Sequence, residues 1–212
     1  MKAELLESAE DLERTEHVRA GRRIEYLSLA WTTIEGALAI AAGWLAGSVA
    51  LIGFGADSVI EIASSASVLW RLYAPDRGER RERIALRLVG VCFLALALYV
   101  AIESGRSLWS RRPPETSYFG IVVAIVSMGM MSLLAFAKRR AAEKLHSASL
   151  AADSRQSSIC AYLSAILLVG LALNAAFGWW WADPLAALAM LPIILKEGVE
   201  ALRGETCGCE HH

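Results

Sequence analysis

The sequence predicts an all-α membrane protein, a six-transmembrane-helix bundle with both termini in the cytoplasm. Three observations support this fold class. Hydrophobic residues make up 56% of the 212 residues, and the mean hydropathy is +0.43. The 21 basic and 22 acidic residues lie mostly between apolar blocks of about 20 residues, the length that crosses a bilayer. These blocks lack period-2 alternation and are too long for the strands of a membrane barrel, which excludes a β alternative.

The chain divides into three parts. Residues 1–23 are polar, acid-rich and helical in pattern, and they lack the short apolar core and cleavage site of a secretory signal. We expect them to stay attached as a cytoplasmic segment, followed by a transmembrane domain over residues 24–197 and a short cytoplasmic tail over residues 198–212. The net charge of −1 argues against a nucleic-acid partner. The four cysteines are too dispersed for a disulfide framework; they are Cys92, Cys160, Cys207 and Cys209.

Six apolar blocks, each bounded by charged or turn-forming residues, define the predicted spans. The spans are Ile24–Ala46, Ser48–Trp70, Ile84–Ile102, Ser117–Ala137, Ser149–Ala175 and Trp179–Leu195. The predicted connections comprise a tight turn, three loops of charged, proline-containing and basic character, and a short aromatic link. In chain order they are Ala46-Gly47, Arg71–Arg83, Ser104–Thr116, Lys138–His146 and Asn174–Trp181.

The basic residues orient the predicted bundle. Of the 21 Lys and Arg residues, only Arg106, Arg111 and Arg112 fall outside segments that are cytoplasmic when the N-terminus is cytoplasmic. The positive-inside rule therefore puts both termini in the cytoplasm. The run Trp179–Trp181 then lies at the outer interface, where amphipathic indole side chains prefer to lie.

Acidic residues inside the predicted spans point to a function. A carboxylate at the bilayer centre costs about 2.5–3.5 kcal/mol on insertion scales, so it needs a partner or a purpose. Asp57 and Glu61 lie in the second span, four residues apart, so both carboxylates lie on one helix face and can share one ligand. Asp153 lies in the first turns of the fifth span. Glu35 lies midway along the first span, where a structural and an accessory role are both open.

Antiparallel packing of the second and fifth spans would bring further polar residues level with these acids. At about 1.5 Å per residue, Asp57 comes level with Cys160, and Glu61 with Gln156. A layer with two carboxylates, one thiol and one amide predicts a site for a small cation. Asp153 projects from the same face nearer the cytoplasm, where it could line a route to the site.

Structural roles are open for the same residues. Arg155 or Arg87 could neutralise the acids of the second and fifth spans as ordinary ion pairs. Cys160 taken alone could be a small packing residue, because buried cysteine behaves as a hydrophobe. Gly43 and Gly47 form a G-x-x-x-G pattern that is more typical of close packing than of a specific dimer.

Three motifs resemble those of the cation diffusion facilitator (cation efflux) family. Residues 47–61, GSVALIGFGADSVIE, are similar to the family's second helix, with a G-S motif followed by D-S-x-x-D. Residues 152–160, ADSRQSSIC, occupy the frame of its fifth-helix motif A-D-x-x-H-x-x-x-D. Trp181-Ala182-Asp183 matches its W-x-D before the sixth helix. The order and spacing of the motifs hold across the whole six-helix region, so the chain resembles a divergent member.

The resemblance implies a homodimeric exporter of divalent transition-metal ions in the cytoplasmic (inner) membrane, working by proton-coupled antiport and alternating access. Its metal site, carried over by position, would be Asp57, Glu61, Gln156 and Cys160. The last three stand where the family has Asp, His and Asp, so the ion is open: zinc first, with cadmium, iron, cobalt and manganese as alternatives. The implied partners are metal cations, protons and the lipid bilayer. No phosphate loop or HExxH helix points to an enzyme.

The family usually adds a cytosolic metal-binding domain after the sixth helix, and Lys196–His212 is too short to form one. This tail carries four residues that could collect a soft cation, namely Cys207, Cys209, His211 and His212. The two histidines could equally be the remnant of an expression tag. A second class of function is open as well: a non-transporting membrane metal sensor or assembly partner that keeps the fold.

Overall fold

A computed structural model of the chain describes residues 2–73, 79–110 and 114–203, and this part folds into six α-helices. They are α1 (Lys2–Ala46), α2 (Val49–Tyr73), α3 (Glu79–Ser110), α4 (Tyr118–Leu145), α5 (Ala148–Phe177) and α6 (Ala182–Arg203). The described residues contain no strand, so the predicted all-α class is confirmed. Four helices in this part are long and apolar enough to cross a membrane. Their candidate spans are Thr15–Ala46, Val49–Trp70, Tyr118–Leu145 and Leu150–Phe177.

Several helices extend past the predicted spans. α1 includes the polar N-terminal segment, α3 continues to Ser110 and α4 continues to Leu145. The loops predicted over Ser104–Thr116 and Lys138–His146 are therefore wrong for most of their length. The extension of α4 reads KRRAAEKL and consists of strong helix formers, so the end of its apolar run does not end the helix.

Sharp, capped turns connect the helices. The predicted tight turn after Ala46 is present, and Gly47 has a φ of 64°. Gly178, after α5, has the same left-handed φ of 64°, which glycine adopts without steric cost. The hydroxyl groups of Ser117 and Ser147 accept hydrogen bonds from backbone N–H groups at the starts of α4 and α5. These caps fix where each helix begins.

The second helix lies at the centre of the bundle. It packs most extensively against α1 and also contacts α3, α5 and α6, while α4 pairs with α5 and α3 pairs with α6. Buried apolar residues from α2 to α6 fill the core between them, among them Phe54, Phe93, Met131, Leu167 and Met190. Polar residues on the core-facing side of α2 are therefore enclosed by protein.

Glycines allow α1 and α2 to approach closely. A Cβ atom at Gly43 would lie 2.8 Å from the backbone nitrogen of Ile52, and one at Gly55 would lie 2.9 Å from that of Ile40. Both distances are shorter than real Cβ contacts, so no larger residue fits without movement of the backbone. Gly43 thus serves packing within the chain, as its pattern in the sequence indicates.

Asp183, in the first turn of α6, ties that helix to the start of α2. Its carboxylate accepts hydrogen bonds from the Ser48 hydroxyl group and, at 3.0 Å, from the Val49 backbone N–H. A carboxylate at a helix N-terminus satisfies backbone donors that have no partner inside the helix and interacts favourably with the helix dipole. The W-x-D pattern before α6 therefore marks a contact between α6 and the turn that joins α1 to α2.

Candidate functional site

The residues of the predicted layer lie inside the bundle, on two helices that touch. Asp57 and Glu61 on α2 are 0% exposed, and on α5 Cys160 is 0% and Gln156 2% exposed. All four side chains lie in the interior of the bundle, where α2 and α5 pack against each other. The register that brings Asp57 level with Cys160 stays a prediction.

Several polar atoms of this layer have no hydrogen-bond partner among the described residues. They are both carboxylate oxygens of Asp57, Oε2 of Glu61 and Nε2 of Gln156. Buried polar groups are normally paired, and leaving one unpaired costs about 1–3 kcal/mol. A cluster of unpaired, buried oxygen atoms beside a thiol is chemically suited to bind a cation.

The side chains do not form a complete coordination shell as they stand. Within the described ranges, no three His, Cys, Asp or Glu side chains converge as a metal site requires. Glu61 Oε1 accepts a hydrogen bond of 2.6 Å from Ser157. Coordination by Asp57, Glu61 and Cys160 together therefore requires side-chain rotation.

Lys138, on α4, lies where the sequence-based prediction does not place it. The prediction assigns it to a basic cytoplasmic loop, and this is wrong, because the side chain is fully buried within the bundle. Its Nζ atom lies 2.6 Å from Asp153 Oδ2 and 3.8 Å from a carboxylate oxygen of each of Glu25 and Glu61. One ammonium group thus serves acids from three helices.

The sequence contains a signal for the burial of Lys138. Buried residues of α4 recur at positions 127, 131, 134, 138 and 141, which is the spacing of one helix face. The adjacent Arg139 and Arg140 fall on the exposed side of the helix. A basic run at the end of an apolar segment can therefore divide between the interior and the surface when the helix continues through it.

Lys138 is a partner of the buried acids that the sequence-based alternatives do not include. Its ammonium lies beside Asp153 and Glu61, whereas the side chains of Arg87 and Arg155 are exposed. Asp153 is fully buried and held by this pair. Its predicted role on a route to the site stays a prediction.

Glu25 is a buried acid that the sequence analysis does not single out. It lies on α1 and is fully buried, with both carboxylate oxygens lacking a hydrogen-bond partner in the described part of the chain. Its position at the edge of the first apolar block is typical of an interfacial charge, so its burial depends on how α1 packs. One signal in the sequence indicates that Glu25 faces inward, namely its helical spacing from small or weakly polar residues. These residues are Gly21, Ser28 and Thr32, and all are buried.

Glu35 forms a second buried polar cluster with α4 and α5. Ser127 donates a hydrogen bond of 2.5 Å to Glu35 Oε1, and the hydroxyl oxygens of Ser127 and Ser164 lie 2.9 Å apart. Ser164 in turn donates to the Cys160 carbonyl oxygen at 2.8 Å, so this cluster adjoins the predicted layer. The predicted tail ligands Cys207, Cys209, His211 and His212 lie outside the described residues.

Comparison with known proteins identifies the family. Residues 26–205 match the family model of the cation efflux transmembrane domain. An uncharacterized transporter of Synechocystis sp. is 28% identical over 194 residues, covering 87% of this chain and 63% of that protein. Transmembrane protein 163 of Xenopus laevis is 29% identical over 182 residues, covering 84% and 65%. The cation-efflux pump FieF of Shewanella oneidensis is 26% identical over 138 residues, covering 63% and 46%.

The matches to the relatives and to the family model differ in extent. The chain spans less than two thirds of the length of each of these three relatives. The match to the family model, in contrast, covers most of the chain and includes every residue of the layer formed by Asp57, Glu61, Gln156 and Cys160. The chain therefore belongs to the cation efflux family and contains its transmembrane domain.

Proposed function

We propose that the protein exports divalent transition-metal ions from the cytoplasm and holds the ion between α2 and α5. The observation that carries this proposal is the buried group of Asp57, Glu61 and Cys160. Three of its carboxylate oxygens have no hydrogen-bond partner in the part of the chain that the structure describes. Thiolate and carboxylate ligands suit zinc and similar ions better than magnesium or calcium. Gln156 is the proposed fourth ligand, through its amide oxygen.

The proposal includes six membrane crossings with both termini in the cytoplasm. α3 and α6 pack against each other and expose large apolar side chains such as Val91, Leu98, Ile102 and Leu185. Exposed apolar surface of this extent is typical of lipid contact. The distribution of Lys and Arg supports the orientation.

The proposed mechanism is proton-coupled antiport by alternating access in a homodimer. Carboxylates and thiols must lose their protons to bind a metal ion, so binding from the cytoplasm releases protons. When the site opens to the outside, protons rebind and the metal ion leaves. The relatives named cation-efflux pumps support outward transport, with zinc as the first substrate to test.

A measurement of zinc binding and zinc flux tests the function. Asp57→Asn keeps the shape of the side chain but removes its charge. We expect the zinc affinity, measured by calorimetry on purified protein, to fall by at least about 100-fold, because losing a group that merely orients a ligand already costs about 10–100-fold. Zinc-driven proton release from proteoliposomes should disappear with it.

Glu143→Gln is the matched control, since Glu143 lies on the exposed side of α4 in a surface pair with Arg139. This variant should bind and transport zinc as the unmodified protein does. Full zinc flux in Asp57→Asn would show that the assigned site is wrong. Zinc binding without flux in the unmodified protein would favour the sensor or assembly partner.

A further inference from the structure

A directed hydrogen-bond chain crosses three helices beside the proposed site. Lys138 Nζ donates to the Ser157 hydroxyl oxygen at 3.0 Å, and Ser157 donates to Glu61 Oε1 at 2.6 Å. An ammonium group can only donate, so the single hydroxyl proton of Ser157 is directed to the carboxylate. All three side chains are 0% exposed, which keeps water from competing for these bonds.

The hydrogen bonds from Lys138 through Ser157 give the two carboxylate oxygens of Glu61 different surroundings. Oε1 accepts from Ser157 and lies 3.8 Å from the Lys138 ammonium. Oε2 is buried and has no hydrogen-bond partner among the described residues. The carboxylate is therefore held by one oxygen, and the other is left to bind a ligand.

The position of Lys138 is itself fixed from several sides. Its ammonium lies 2.6 Å from Asp153 on α5 and 3.8 Å from Glu25 on α1, and it donates to Ser65 on α2 at 3.3 Å. Charge-assisted contacts of this kind are strong where water is excluded. Lys138 thus serves as a fixed anchor for Ser157.

We propose that Ser157, anchored by Lys138, is a positioning residue that makes Glu61 offer Oε2 alone to the transported cation. This inference rests on the proposed function and adds a basis for selectivity. A tetrahedral ion such as zinc takes one atom from each of four ligands. Manganese prefers an octahedral, oxygen-rich shell, which a carboxylate with both oxygens available serves better. Holding Oε1 therefore favours small tetrahedral ions.

Ser157→Ala tests the proposal because it removes the donor to Glu61 and leaves the Lys138–Asp153 pair intact. We expect zinc affinity to fall by about 10–100-fold, as is typical when a group that orients a ligand is lost. Manganese affinity should change less, so the ratio of zinc to manganese affinity falls. Ser157→Thr retains the hydroxyl group and should restore this ratio. Binding of each metal is measured by calorimetry, and the melting temperature of each variant is recorded.

Ser158→Ala is the matched control. Ser158 is the next residue on α5, but its hydroxyl group donates to the Ser154 carbonyl oxygen of the same helix at 3.0 Å. Its removal should leave both metal affinities unchanged.

An unchanged zinc-to-manganese ratio in Ser157→Ala would overturn the positioning role, whether both affinities stay as they are or both fall equally together with the melting temperature. Either result, combined with loss of zinc binding in Asp57→Asn, leaves the proposed function intact. Zinc binding of undiminished affinity in Asp57→Asn instead shows that the proposed site itself is wrong, and absence of zinc flux in the unmodified protein removes the proposed function.

Discussion

One lysine lies among three acids in the interior of the bundle. Lys138 lies within 3.8 Å of Glu25 and Glu61 and within 2.6 Å of Asp153, and none of the four side chains is exposed. Removing charges from water costs several kcal/mol per ion, so such a network contributes little net stability while it is complete. Removal of one partner destabilises the protein, because it leaves unpaired charges in the core.

Lys138→Met should therefore destabilise the protein strongly. We expect the free energy of unfolding to fall by about 3–5 kcal/mol, the usual effect of removing one partner of a buried ion pair. Unfolding by SDS in mixed micelles measures the change. Lys196→Met is the control, since Lys196 forms an exposed pair with Glu200 that is worth about 0–1 kcal/mol. Equal stability of the two variants would contradict the prediction.

The sequence predicts that some polar residues lie inside the bundle and misses others, for a physical reason. Asp57, Glu61 and Cys160 lie well inside apolar segments, where a polar residue needs a partner whatever the detailed packing. Lys138 and Glu25 lie where apolar segments give way to charged ones. Whether such a residue faces inward depends on whether the helix continues and on its rotation about its own axis, and a boundary drawn by hydropathy removes that information.

Among the helices, α1 and α2 approach each other closely at two glycines. A Cβ atom added at Gly43 on α1 would collide with the backbone of α2, and one added at Gly55 on α2 would collide with the backbone of α1. Gly129, on α4, has open space around the position of a Cβ atom. The same substitution should therefore have opposite effects at these positions.

Gly55→Ala should lower the free energy of unfolding by about 1–3 kcal/mol, because an added methyl group in a tight contact forces the backbone apart. Gly129→Ala should leave stability unchanged or raise it by up to about 1 kcal/mol, since alanine favours the helix more than glycine does. The same unfolding titration in SDS compares the two. If Gly55→Ala is as stable as Gly129→Ala, the close approach of α1 and α2 is wrong.

Apolar segments predict the existence and order of the helices better than their ends. Each predicted span coincides with one helix, because about 20 apolar residues have few other stable arrangements. The ends of α3 and α4 extend further, since charged residues interrupt hydropathy without breaking backbone hydrogen bonds. Capping serines at 117 and 147 mark the starts of α4 and α5 more accurately.

Over the whole molecule, the distribution of basic residues predicts that both termini lie in the cytoplasm, and cysteine labelling tests this orientation. Single cysteines are placed at Thr116, in the connection between α3 and α4, and at Arg19, on α1, both exposed positions. The background carries serine at Cys92, Cys207 and Cys209. A membrane-impermeant maleimide should label Thr116→Cys in intact bacterial cells and Arg19→Cys only after permeabilisation. Labelling of both from the outside would rule out the proposed orientation.

The bonds from Asp183 to the start of α2 give that helix a pivot. At its other end α2 is joined to α1, because Arg22 donates to a backbone carbonyl oxygen there. A tilt of α2 about this pivot would carry α1 with it. Asp57 lies about 12 Å along the helix from the pivot and Glu61 about 18 Å, so any tilt carries Glu61 about 1.5 times as far as Asp57. In the proposed transport cycle, such a tilt would separate the ion from Glu61 before Asp57.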